Sequence, residues 1–155
     1  MSALTRTVIV AIDESAAALH AFQWAVTKQL NPGDHLRLIH VQPYWEEPLA
    51  VGADAVVYTA GKVRESSLQV ARKFAQLCRD LHVEDFKEEV IIQDGDVGPT
   101  ICQYIDKLNT SLNNLILVLG SRELGFFGRA FLVSTSEYCV QHCACPVVIV
   151  KLDSK

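Results

Sequence analysis

Short apolar runs and longer segments of helical spacing alternate along this chain. In the first run, Thr7-Val8-Ile9-Val10-Ala11-Ile12, successive positions are apolar, so both faces of a pleated strand there would meet other protein. Such a strand is covered by helices on each side and sits centrally in a sheet. Asp13-Glu14-Ser15 interrupts the run and offers N-cap side chains for a helix reaching about residue 30, in which Leu19, Phe22, Ala25 and Val26 fall on one side. Asn31-Pro32-Gly33-Asp34 ends it, and a second strand follows over 36–41. Residues 42–60 contain prolines and no sustained period; they read as a long loop or flap bracketed by Tyr44, Trp45 and Tyr58, aromatic rings that anchor the loop to its own domain, close over a base or pack against a partner. From about 61 to 81, Val63, Val70, Ala71, Phe74, Leu77, Cys78 and Leu81 recur at helical spacing with charged residues between them, the pattern of an amphipathic covering helix. A third strand is expected over 87–93, a third helix over 100–108 and a fourth strand over 115–119. A last helix begins near Ser134, and Pro146 opens a terminal strand running to Lys151.

Strands that alternate with helices predict a parallel sheet. Five of them, joined by right-handed crossovers, give an α/β fold with an open, doubly wound five-stranded sheet. This is a Rossmann-like or flavodoxin-like three-layer sandwich with strand order 3-2-1-4-5. In that order the terminal strand, residues 146–152, lies at a sheet edge, where unpaired backbone groups invite pairing.

Composition narrows the partners. The 155 residues are half hydrophobic and 21% charged, the balance of one globular domain spanning 1–155. A formal charge of −4 leaves no excess of cations to neutralise a duplex, so nucleic acid is not an expected partner. No stretch approaches the ~20 apolar residues that cross a bilayer, and no signal-peptide pattern opens the chain. No membrane partner is expected, and the expected location is the cytoplasm. Five cysteines fit reduced thiols rather than a disulfide framework.

In open parallel sheets a ligand sits beyond the carboxyl ends of the strands. Here those ends are Ile12-Asp13-Glu14, Val41-Gln42, Gln93-Asp94 and Leu119-Gly120-Ser121-Arg122. The fourth is the richest, because "LVLGSRELGFFGRAFLVSTSEYC" runs from strand through a Gly-containing loop to a helix start. Ser134 and Glu137 have capping-box spacing, and the free amides of that first turn can hold an anion, with Ser121, Ser134 and Ser136 hydroxyls adding to them. Spacing alone is equally compatible with serines that only cap a helix and glycines that only turn a chain.

"VIVAIDES", "LIHV", "GD" before the third helix, "LVLGSR" and "STSEYCVQHCACPVVIV", in this order over nearly the whole chain, resemble the universal stress protein family, its plant and other eukaryotic members most. The resemblance implies a stress-response regulatory protein that binds ATP or another adenine nucleotide, with magnesium accompanying the nucleotide. It also implies a homodimer formed through strand 146–152, with further protein partners of unknown kind. The implied nucleotide-binding residues are Ala11, Ile12, Asp13, Val41, Leu119, Gly120, Ser121, Arg122, Ser134, Thr135 and Ser136. Among these, Asp13 would meet ribose or a divalent metal ion, Val41 and Leu119 would flank adenine, and the glycine and hydroxyl residues would face ribose and phosphates.

The family's binding signature is Gly, two residues, Gly, nine residues, then Gly followed by Ser or Thr. Gly120 and Ser134 match its ends, whereas Glu123 and Val133 stand where the second and third glycines belong. A carboxylate about 4 Å from a phosphate costs roughly 1–4 kcal/mol unless it is screened or bridged by a cation, and a Val side chain obstructs close backbone approach. Two readings therefore stay open: a nucleotide-binding member, or a nucleotide-free protein-interaction module in which these two residues have closed the site.

Three other constellations carry less. Asp13-Glu14, Asp94, Ser121 and Lys151 superficially match a phosphoacceptor receiver domain, but Asp94 follows the flap and a long helix rather than one short βαβ step. Cys139, His142, Cys143 and Cys145 lack the paired Cys-x-x-Cys hooks of structural zinc and read as core packing. No Gly-x-Ser-x-Gly elbow is present. With no identifiable general base or clamp lysine, the chain reads as a binding protein, at most a weak ATP hydrolase.

Overall fold

The computed structural model describes residues 5–42, 52–92, 96–112, 114–121 and 134–152. Five strands form one sheet: β1 (Thr7–Ala11), β2 (His35–Gln42), β3 (Phe86–Ile92), β4 (Leu115–Ser121) and β5 (Val147–Lys151). Their order is β3-β2-β1-β4-β5 and every neighbouring pair is parallel, as the alternation of periods predicts. The helices are α1 (Ala16–Trp24), α2 (Ala53–Asp80), α3 (Val97–Asn109) and α4 (Thr135–His142). Among the described residues no helix is long and apolar enough to cross a membrane.

Strand parity divides the core in two. Val8, Val10 and Ile12, with Leu36 and Leu38, pack with Phe22 of α1 and Val70 and Phe74 of α2. Ile9, Ile39, Leu115, Leu117 and Leu119 pack with Ile101 and Ile105 of α3 and Cys139 of α4. Because side chains alternate across a strand, an unbroken apolar run supplies both layers at once. Phe22 and Phe74 meet edge to face, ring centroids 5.3 Å apart, and tie α1 to α2.

Three boundaries differ from the sequence expectation. α1 gives way to a π-turn at Ala25–Gln29, with the Leu30 amide bonded to the Ala25 carbonyl at 2.9 Å. The supposed flap ends earlier than expected, because α2 already begins at Ala53 behind an extended Gly52. Its first two turns show no apolar stripe: Val57 and Tyr58 are 72% and 63% exposed. Alanines and a Tyr58–Lys62 cation–π contact at 4.6 Å favour helix there by local preference, which hydrophobic periodicity does not register. Tyr44 and Trp45 lie outside the described residues. α3 starts three residues earlier than expected, with Pro99 in its first turn, where the missing amide has no helical partner to lose.

Candidate functional site

The chain direction switches between β1 and β4, which are adjacent in the sheet but distant in sequence. Beyond the carboxyl ends of these strands lies a cavity of about 780 Å³, within the ~300–1,000 Å³ range of small-molecule sites. Ala11, Ile12, Asp13, Val41, Leu119, Gly120, Ser121, Ser134, Thr135 and Ser136 all line it. Arg122, Glu123 and Val133 lie outside the described residues.

Each wall has a local cause. Asp13 Oδ1 accepts the Ser15 amide at 2.7 Å, and Ser15 Oγ accepts the Ala18 amide at 3.1 Å as N-cap of α1; the polar break after β1 thus turns the chain and starts the helix. Opposite, Ser134 caps α4 by accepting the Glu137 amide at 3.1 Å, and its Oγ lies 3.1 Å from that of Ser136. The capping geometry expected from Ser134 and Glu137 is present on the serine side. The first turn of α4 brings hydroxyls, amides and the positive end of the helix dipole to the cavity.

Gly120 has a structural explanation that precedes any ligand. A Cβ built there would lie 2.4 Å from the Ala17 carbonyl oxygen and 2.6 Å from its carbon, so β4 and the first turn of α1 touch only because residue 120 has no side chain. This contact holds the Asp13 turn against the Gly120 strand end.

Several lining residues were not singled out by sequence. His40, assigned no role, is 7% exposed; its Nδ1 lies 2.9 Å from the Ile12 carbonyl and its Nε2 3.2 Å from Ser67 Oγ. The Nδ1–H donates to that carbonyl, which can only accept. The ring ties β2 and α2 to the strand end carrying Asp13. Ile39, Val97 and Ile101 extend the apolar wall. Lys151 also lines the cavity, because the β4–β5 register pairs it with Ser121. The sequence names Lys151 as a site residue only in the receiver comparison, and that register is the signal that would have added it to the nucleotide-binding set.

Asp13, Ser121 and Lys151 thus share a cavity, as in the receiver comparison. The sheet order answers that comparison: β3, the strand before Asp94, is separated from β1 by β2, whereas receiver-type sheets run 2-1-3-4-5. Asp94 itself lies outside the described residues.

A family model of the universal stress proteins matches residues 5–151. The chain belongs to the universal stress protein family. A curated family relative, universal stress protein PHOS34 of Arabidopsis thaliana, is 29% identical across 94% of this chain. The match takes in 62% of PHOS34, so the chain spans about three fifths of that relative's length. Among solved universal stress proteins, UspA from Lactobacillus plantarum superposes with TM-score 0.69 at 22% identity, covering 96% of this chain and 99% of that one. An Arabidopsis thaliana member with AMP bound gives 0.67 at 21% identity, covering 96% and 93%. A further family structure, in complex with cAMP, gives 0.68 at 18% identity, covering 96% and 98%. At these identities the superpositions establish the shared fold.

Proposed function

We propose that this universal stress protein binds an adenine nucleotide at the carboxyl end of its sheet and acts as a regulatory protein whose occupancy alters its partners. The observation that carries the reading is the composition of the cavity wall. Val41, Leu119, Val97 and Ile101 offer apolar surface to a flat base, the Asp13 carboxylate suits ribose hydroxyls, and the α4 N-terminus with Ser134, Thr135 and Ser136 suits phosphate oxygens. Lys151 adds a positive charge to that wall. Solved relatives that hold AMP and cAMP support the same ligand class. With ATP, magnesium would accompany the phosphates and Asp13 would be its protein partner. The working unit is a homodimer through 146–152: β5 is an edge strand that, among the described residues, pairs with β4 alone, and sedimentation should find twice the 17.2 kDa chain mass.

Calorimetric titration with ATP, ADP and AMP, with and without magnesium, tests this reading. Saturable heat with at least one nucleotide is expected; no heat and no thermal shift at millimolar ligand would sink it. Glu123 and Val133 favour a second reading, a protein-interaction module closed to nucleotides. Replacing both, Glu123→Gly with Val133→Gly, separates the two: ATP affinity should rise about tenfold, equivalent to about 1.4 kcal/mol. Unchanged or weaker affinity would show that these side chains do not restrict the site.

A further inference from the structure

Three thiols from two helices meet on the α3–α4 side of the sheet. Cys102 lies within α3, Cys139 within α4, and Cys143 at the C-cap of α4; their sulfurs all lie within 4.8 Å of one another. Cys102 Sγ and Cys143 Sγ are 2.7 Å apart although 41 residues separate them in sequence. Close helix packing makes this possible, since Gly98 of α3 accepts the Tyr138 ring of α4 where a Cβ would approach it to 3.0 Å.

Two chemistries suit clustered thiols, and the distance separates them. Thiolates around tetrahedral zinc, with Zn–S near 2.3 Å, stand about 3.8 Å apart. The Cys102–Cys143 pair is already much closer than that, and only about 0.7 Å beyond a disulfide bond length. The group among the described residues also offers three ligands, where a closed structural zinc site needs four.

We propose that Cys102 and Cys143 are an oxidation site, closing to a reversible intramolecular disulfide that staples α3 to the C-terminal end of α4. With hydrogen peroxide as oxidant, the half-buried Cys143 sulfur attacks one peroxide oxygen, the O–O bond breaks, and Cys143 sulfenic acid and one water result. Cys102 sulfur then attacks the sulfenic sulfur, the S–S bond forms, and the departing hydroxyl takes the Cys102 proton as a second water. Two thiols lose two electrons, and one peroxide gains them.

Proximity rather than an activated thiolate drives the step. Burial pushes the Cys102 thiol up to about 12, and the hydrogen bond with Cys139 followed by burial pushes Cys143 up as well. Fast peroxide sensors hold a low-pKa thiolate, so closure here is expected to be slow and to need millimolar peroxide. The same burial protects the finished bond from bulk reductant.

The test is peroxide treatment of the whole protein, alkylation in denaturant with N-ethylmaleimide, intact mass and peptide mapping. The reduced chain should take five labels, one per cysteine. The oxidised chain should take two fewer, yield a peptide joining Cys102 to Cys143, melt at a higher temperature, and regain all labels after dithiothreitol. Cys139→Ser should keep the cross-link, while Cys102→Ser and Cys143→Ser should each lose it. Five labels after oxidation would overturn the proposal, as would a cross-link at another pair, a cross-link between chains, or Cys143 over-oxidised without a bond. Purified wild-type protein carrying stoichiometric zinc, with these three thiols shielded from label, would overturn it in favour of a metal site. Peptide mapping of wild-type protein gives the answer even if a serine variant fails to fold.

Discussion

At the amino ends of the strands the polar groups answer one another. Arg6 donates to Asp34 at 2.5 Å and to the Gln29 carbonyl at 2.9 Å, and Asp34 also accepts the Asn31 amide at 2.9 Å. His35 pairs with Asp85 across the β2–β3 edge. A concavity of about 530 Å³ exists here too, but among the described residues Arg6 is its one charged lining residue, and it is already held by Asp34. At the carboxyl ends the same strands open onto the larger cavity, where α1 and α4 begin with serine caps and α3 begins with Asp96 making no side-chain cap bond. The difference follows from parallel topology. Each helix that follows a strand starts at the strand's carboxyl end, so amides and positive helix ends gather there while helix C-termini and turns close the other end. One end is built to hold the fold together, and the other keeps donors available for a ligand.

Substitutions can break this contrast in order of size. Gly120→Val should do most, since its Cβ would enter the Ala17 backbone; a loss of about 3 kcal/mol is expected in chemical denaturation, together with loss of nucleotide binding. Full stability in this variant would mean that α1 can withdraw from β4 at little cost.

Asp34→Ala tests the closed end. Burial alone would raise the Asp34 pKa, but the hydrogen bonds from Arg6 and the Asn31 amide outweigh it and hold the carboxyl below its ordinary value. A depressed folded-state pKa contributes stability above the unfolded value near 4 and loses it as pH falls through the folded value. The variant should therefore cost about 2 kcal/mol at pH 7, approach wild type as pH falls through the depressed folded-state value, and bind nucleotide unchanged.

At the open end, Ser134→Ala should cost about 1 kcal/mol through loss of the α4 cap and also weaken nucleotide binding. The smallest effect is expected from Lys151→Ala, which should leave the melting temperature unchanged and weaken ATP up to about fivefold, in keeping with an exposed charge pair. Adenosine, lacking phosphate, should be unaffected; an equal loss for both would place Lys151 elsewhere than at the phosphates.

Much of this contrast could be read before the coordinates. β1 and β4 announce themselves as apolar runs buried on both faces and β2 and β5 as apolar-rich segments between turn signals, so all four are legible within one or two residues, and with them Asp13, Val41 and Gly120. The serine caps were legible because capping is local. What stayed hidden depends on registration between distant segments: Lys151, named as a site residue only in the receiver comparison, joins the nucleotide wall through its pairing with Ser121, and His40 bonds both the Ile12 carbonyl and Ser67 of α2. Cys102 joins Cys143 for the same reason. The early start of α2 was hidden differently, since its exposed first turns bury no stripe.

The central claim is that adenine nucleotide binds at the carboxyl end of the sheet. Backbone amide resonances of labelled protein, followed as AMP is titrated to millimolar concentration, test it most directly. The account predicts saturable shifts concentrated at Asp13, Val41, Leu119–Ser121 and Ser134–Ser136, with Arg6, Asn109, Asn114 and Ala144 at the opposite end unmoved. Shifts centred on that amino end, or none at any residue, would contradict it.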